Sequence, residues 1–228
     1  MGRHMIPRVL IDSAPVPGGG GELRLIRRGE DFWIMLGANA LMSTRLRGSE
    51  EALATLACER IAGRPRPALL IGGLGMGFTL RAALGALGGD ATLTVSELVP
   101  AIVEWARGPM AHVHAGSLDD PRVRIVESDV GDLIAGARAK YDSILLDVDN
   151  GPDALSRDSN DRLYDLDGLH RARAALKPGG VLAIWSAADD PAFSRRLGKA
   201  GFKVEEVTVR AHAGRKGAKH MIWLARRR

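Results

Sequence analysis

Residues able to do chemistry gather in a few short stretches of the chain. LLIGGLGMGF (69–78) ends an apolar run and sets Gly73, Gly75 and Gly77 at every second position. Glycine weakens strands and helices alike, so such a run is expected where a ligand must lie close to the main chain. Glu97 stands twenty residues after Gly77, closing ATLTVSE (91–97), and a carboxylate there can accept hydrogen bonds from both hydroxyls of a ribose. ESDVGD places Asp129, framed by Ser128 and Val130, where the exocyclic amine of an adenine is held. LLDVDNGPD crowds together Asp147, Asp149 and Asp153. A dinucleotide fingerprint begun at Gly73 needs its third glycine at Phe78, and no lysine-serine pair follows as in a P-loop. The G-x-G-x-G spacing fits S-adenosylmethionine instead. Gly73, Gly75, Gly77, Glu97, Asp129 and Asp147 are the expected cofactor-binding residues.

The elements that must position these residues follow from periodicity. RVLID (8–12), ELRLIRRG (22–29) and DFWIMLG (31–37), split by GGGG at 18–21, read as strands of a small antiparallel element over residues 6–48. Residues 1–5 read as a cloning remnant. From Ser49 the period becomes helical: Leu53, Leu56, Ala57 and Ile61 share a face, and Gly63 closes the helix. Strands at 68–72, 91–97, 122–128, 141–148 and 181–187 then alternate with helices at 78–87, 100–107, near 130–136, at 163–176 and at 191–201. The chain ends in two strands, FKVEEVTVR and KHMIWLARRR, with no helix between them. Apolar strands alternating with helices predict a mostly parallel sheet of seven strands covered on both faces, with an antiparallel C-terminal hairpin. This is the layout of a Rossmann-like class I methyltransferase fold, spanning residues 49–228. Each candidate residue then falls at the carboxyl end of a strand, where such sheets bind ligands.

Over about residues 45–205 the chain resembles the spermidine/spermine synthase family. The resemblance is carried by ALLIGGLGMGFTLR, LTVSELVPAIVEWAR, VRIVESDVGDLI, YDSILLDVDNGPD and LYDLDGLHRARAALKPGGVLAIW. It implies an N-terminal β-domain, pairing of two copies through that region, and chemistry on decarboxylated S-adenosylmethionine. The departures are chemical. The family's loop aspartate, which grips the aminopropyl ammonium, is Gly75 here. Of its two aspartates three apart after the fourth strand, the first matches Asp147 and the second falls on Asn150, an amide that cannot act as a base near neutrality. Ser49-Glu50 replaces the tyrosine-histidine pair ahead of Glu51.

These losses make methyl transfer from S-adenosylmethionine to a small-molecule acceptor the first expectation. Aminopropyl transfer in polyamine biosynthesis is the alternative, and a non-catalytic or nucleic-acid-binding relative is the second alternative. Asp147 and Asp149 are the catalytic candidates; Asn150, Asp153 and Tyr164 are the acceptor-binding ones. His112 and His114 lack a third ligand at recognisable spacing, so no metal is expected. Trp105 and Trp185 read as core, whereas Trp33 reads as a cover for the cofactor or a partner. The net charge of +5 lies mostly in the C-terminal part, and four Trp, two Tyr and four Phe leave little for base stacking, so a solvated surface is the preferred reading. The lone Cys58, in an apolar setting, and the lack of a long apolar stretch point to a cytoplasmic, non-membrane protein, and the resemblance implies a homodimer.

Overall fold

The computed structural model describes residues 6–148, 162–211 and 217–228. The chain opens with β1 (Val9–Pro15), β2 (Glu22–Arg28), β3 (Asp31–Leu36) and β4 (Asn39–Ser43), an antiparallel sheet in that order. Alternation in ELRLIRR turns Leu23 and Leu25 inward, and Phe32 and Ile34 do the same from β3. These four side chains share one apolar cluster with Leu53 of α1 (Gly48–Arg60), Ile61 just after it, and Leu69 and Ile71 of β5 (Ala68–Gly72). The stretches expected as separate units, 6–48 and 49–228, therefore share a core.

From β5 the chain runs through α2 (Phe78–Ala86), β6 (Thr92–Glu97), α3 (Pro100–Arg107), α4 (Ala111–His114), β7 (Val123–Glu127), α5 (Val130–Ala135) and β8 (Tyr141–Leu146). It continues with α6 (Leu166–Ala175), β9 (Leu176–Ser186), α7 (Pro191–Lys199), β10 (Phe202–Arg210) and β11 (Lys219–Arg227). The larger sheet has seven strands in the order β10-β11-β9-β8-β5-β6-β7. β5 to β9 are parallel, and β11 and β10 add the antiparallel edge. This is the class I methyltransferase-like layout. All six residues of β8 are buried, as a central strand covered on both faces requires.

Three local features go beyond the elements read from the sequence. NALMS forms β4 although its sequence shows no alternation. MAHVHAG is not a plain loop, because Ala111–His114 makes one helical turn. Lys177-Pro178-Gly179-Gly180 stops α6 but does not form a separate turn, and β9 already begins at Leu176. Among the described residues, no helix is long and apolar enough to cross a membrane.

Strand order reverses between β5 and β8: β6 and β7 lie on one side, β8 and β9 on the other. The loops leaving β5 and β8 therefore diverge at their carboxyl ends and open a crevice there. The four-stranded sheet lies over its mouth, contributing Leu23, Ile34, Leu36, Leu41 and Met42 to the lining.

Candidate active site

The glycine loop is shaped by close approach. Gly73, Gly75 and Gly77 have φ of +89°, +49° and +75°, a region that side chains other than glycine enter at a cost. A Cβ at Gly73 would lie 2.5 Å from the carbonyl oxygen of Asp147, and one at Gly77 would collide with the His114 imidazole. The bend is thus pressed between the end of β8 and α4. It is anchored by Gly73 N donating to the Ser96 carbonyl (2.8 Å) and by Asp147 N donating to the Gly72 carbonyl (3.1 Å).

Glu97 ends β6 facing this bend. Its Oε2 accepts from Leu74 N and its Oε1 from Val99 N, both at 2.9 Å. Burial pushes its carboxyl above the ordinary value, although the N–H groups of Val99, Leu74, Gly75 and Leu98 oppose that rise. Asp129 caps α5, accepting from Gly131 N at 2.7 Å. Both acids line a cleft of about 890 Å³, counting its open mouth, together with Gly73, Gly75, Ser128 and Asp147. Glu97, with one well-formed backbone bond per oxygen and weaker contributions from Gly75 and Leu98, still presents its carboxylate to ribose hydroxyls, and Asp129 keeps an oxygen for an amine. Bare main chain at the bend and apolar Val99, Ile102 and Val130 nearby complete a lining that fits an adenosyl thioether.

A smaller chamber, about 450 Å³ counting its open mouth, adjoins this cleft and shares Gly75, Asp147, Leu41 and Met42 with it. Glu50, Met76 and Trp185 complete its character: two acids among apolar walls. Asp147 Oδ2 accepts from the Thr79 hydroxyl at 2.6 Å, and burial still raises its carboxyl to about 6. Glu50 rises to about 7, first through burial and then through the charge of Asp147 facing it. Glu50 sits in the first turn of α1, where the helix dipole favours a carboxylate by less than about 1 kcal/mol, so desolvation wins. Its Oε2 accepts from Ser49 Oγ at 2.8 Å, and Ser49 Oγ is in turn 2.9 Å from His220 Nδ1.

The structure brings Gly73, Gly75, Gly77, Glu97, Asp129 and Asp147 around these two connected spaces. Tyr164, expected on the acceptor side, is instead buried in the core, edge-on to Phe193 at 5.7 Å. Asp149, Asn150 and Asp153 lie outside the described residues. Trp185, expected in the core, walls the smaller chamber. Trp105 is core and also donates to Asp12 at 2.7 Å, tying α3 to β1. Trp33 lies beneath the Arg8 guanidinium at 5.7 Å, outside both chambers. His114 is buried under the bend, pushed down to about 4 by burial and by Arg81, while His112 stacks near Phe32. Cys58 is buried, its thiol raised to about 11. Several C-terminal cations are engaged internally: Arg196 donates to the Tyr164 carbonyl and Arg210 to that of Gly217.

Sequence reading missed Glu50, Thr79 and Met42. A signal existed for Glu50, since it replaces a histidine of the resembled family at the acceptor side. Met42 accounts for Gly75: a Cβ there would lie 2.5 Å from Met42 Sδ, so the space of an aspartate at this position is occupied by β4.

The family model described as "Spermine/spermidine synthase domain" matches residues 48–197. A protein of Mycobacterium tuberculosis named polyamine aminopropyltransferase is 32% identical over 166 residues, covering 72% of this chain and 30% of that one. Polyamine aminopropyltransferase 1 of Streptomyces coelicolor is 34% identical over 124 residues, covering 54% and 22%. The chain thus spans less than a third of the length of these curated relatives. The spermidine synthase of Thermotoga maritima has the same fold, with a TM-score of 0.74 at 18% identity over 96% of this chain and 73% of that one. These relatives overturn methyl transfer as the expected reaction: they carry the name of the alternative, aminopropyl transfer.

Proposed function

The chain belongs to the spermine/spermidine synthase family, and from that premise we propose that it is an aminopropyltransferase acting with decarboxylated S-adenosylmethionine on a small aliphatic amine. The observation that carries this reading is the facing pair Glu50 and Asp147 in an otherwise apolar chamber beside the glycine bend. Two half-buried acids favour ammonium groups on apolar stems and repel a carboxylate. An S-adenosylmethionine whose own carboxylate pointed here would meet like charge; the decarboxylated form presents only its ammonium.

The bound sulfonium supplies an electron-poor carbon and a neutral thioether leaving group. The protein's part is placement. Gly73 to Gly77 receive the nucleoside against main chain, Glu97 orients the ribose, Asp129 holds the adenine amine, and Asp147 fixes the aminopropyl end. Positioning of this kind supplies most of the acceleration of an in-line displacement. The same reading takes the acceptor into the chamber of Glu50 and Trp185. It also takes two copies to pair through the small sheet, whose outer strand β1 exposes Val9 and Leu10.

Calorimetric titration with both forms of the cofactor, followed by mass spectrometry of reactions with diaminobutane, tests the proposal. The decarboxylated form is expected to bind about tenfold or more tightly than S-adenosylmethionine, with an aminopropylated product. Preference for S-adenosylmethionine, or no product from any aliphatic diamine, would sink it.

A further inference from the structure

An amine acceptor arrives protonated, since an alkylammonium has an ordinary pKa of about 10.4. Some group must therefore take a proton before nitrogen can attack. Position 150 carries an amide, which cannot do this. Resting on the aminopropyltransferase reading, we propose that Glu50 binds the acceptor's reacting ammonium and takes its proton, held in place for that role by Ser49 and His220.

The argument is geometric. Glu50 shares the small chamber with Asp147, Met76 and Trp185, so an alkylammonium entering it meets a carboxylate on either side and apolar walls between. Ser49, fully buried, has one hydroxyl proton and directs it to Glu50 Oε2 at 2.8 Å. Its oxygen is then the acceptor toward His220 Nδ1 at 2.9 Å, which assigns the imidazole proton to Nδ1. His220 comes from β11 and packs edge-on to Trp185 of β9, with ring centroids 4.8 Å apart. Three elements, α1, β9 and β11, thereby fix the direction of one carboxylate.

The charged groups facing Glu50 are Asp147 across the chamber, Glu51 on its own helix and His220 behind Ser49. Among the described residues, no lysine or arginine pairs with Glu50, in contrast to Glu51, whose partner is Arg47 at 3.6 Å. A ligand's ammonium would supply a cation to this carboxylate. In the step proposed, an N–H bond of the ammonium breaks and its electron pair stays on nitrogen. The proton forms an O–H bond on Glu50, leaving a neutral amine beside Asp147.

Cofactor-free wild type, Glu50→Gln, Ser49→Ala and the control Glu51→Gln would be titrated with diaminobutane from about pH 5.5 to about 8.5, and with methylthioadenosine to check the neighbouring cleft. Methylthioadenosine should bind all four alike. Diaminobutane affinity should rise with pH in the wild type as the acids ionise, and fall about tenfold or more in Glu50→Gln. The midpoint of the pH dependence should move down in Glu50→Gln, because Asp147, at about 6, is then the chamber acid that titrates, and up in Ser49→Ala, which loses the bond steadying the Glu50 charge. In turnover, Glu50→Gln should lose about 100-fold in kcat, with partial recovery in Glu50→Asp. If Glu50→Gln and Glu51→Gln match in affinity, midpoint and kcat while methylthioadenosine still binds, the role of Glu50 falls. If the wild type binds neither probe, the transferase reading falls with it.

Discussion

β8 carries an aspartate near each end, one buried and one half-buried at the crevice, and the two are treated in opposite ways. Asp142, at the amino end, accepts from Lys177 Nζ at 2.6 Å, Arg64 Nη1 at 2.9 Å and Ala68 N at 2.8 Å. Burial alone would raise its carboxyl, yet these donors hold it below the ordinary value. Asp147, just past the carboxyl end, has a threonine hydroxyl and faces another acid, and its carboxyl is raised to about 6. One end satisfies its charge within the chain; the other leaves charge to be satisfied by a ligand. An acid raised in this way at the wall of a cleft marks function more than stability. The floor of the sheet holds the fold together, and its rim is left poised for a cation.

Exchanging each aspartate for asparagine should separate these roles. Asp147→Asn is expected to lower kcat/KM for aminopropyl transfer by about 100-fold or more, equivalent to about 2.7 kcal/mol, without loss of thermal stability. A loss under fivefold would place the chemistry elsewhere. Asp142→Asn should leave kcat within about twofold and destabilise the protein by about 2 kcal/mol. That is less than the 3–5 kcal/mol typical of a broken buried pair, because Arg64 and Lys177 reach solvent. Differential scanning calorimetry should record a fall of roughly 4–8 °C. Equal melting temperatures for wild type and Asp142→Asn would dissolve the contrast between the two ends.

The same contrast shows what sequence could and could not disclose. The parallel sheet was legible because YDSILL and ALLIG are apolar throughout and helices separate them. Gly73, Gly75, Gly77, Glu97 and Asp129 were legible as a set because each follows a strand end, a local relation. Pairing across the sheet was not. Lys177 lies in a Pro-Gly-Gly stretch that reads as a turn, yet its bond to Asp142 accompanies an extended backbone that joins β9. Trp185 reads as core because its neighbours are apolar; only the placement of β4 and α1 opens a chamber against it. Glu50 reads as an ordinary first-turn acid, and its meaning comes from facing Asp147, which no spacing rule reveals. Tyr164 misled for the opposite reason: a polar aromatic near an acidic loop suggests a site, whereas edge-on packing with Phe193 places it in the core.

The smallest effect expected at the rim is one of stability, and its sign is opposite to that at the floor. Glu50 has a folded-state value of about 7 against an ordinary 4.5, so it stabilises the fold fully below about pH 4.5 and loses that contribution as pH rises through 7. Asp142 is lowered, so its contribution is present above its ordinary 3.8 and is lost only in acid. Glu50→Gln removes a charge that must be desolvated and held against that of Asp147. Its melting temperature relative to wild type should therefore climb between about pH 5 and about pH 7 and level off above, by a few degrees at most. Diaminobutane added at pH 8 should raise the wild type and narrow the gap, since the ligand supplies the absent cation. A difference independent of pH, or one that widens with diaminobutane, would mean that Glu50 and Asp147 do not share a charge-strained chamber.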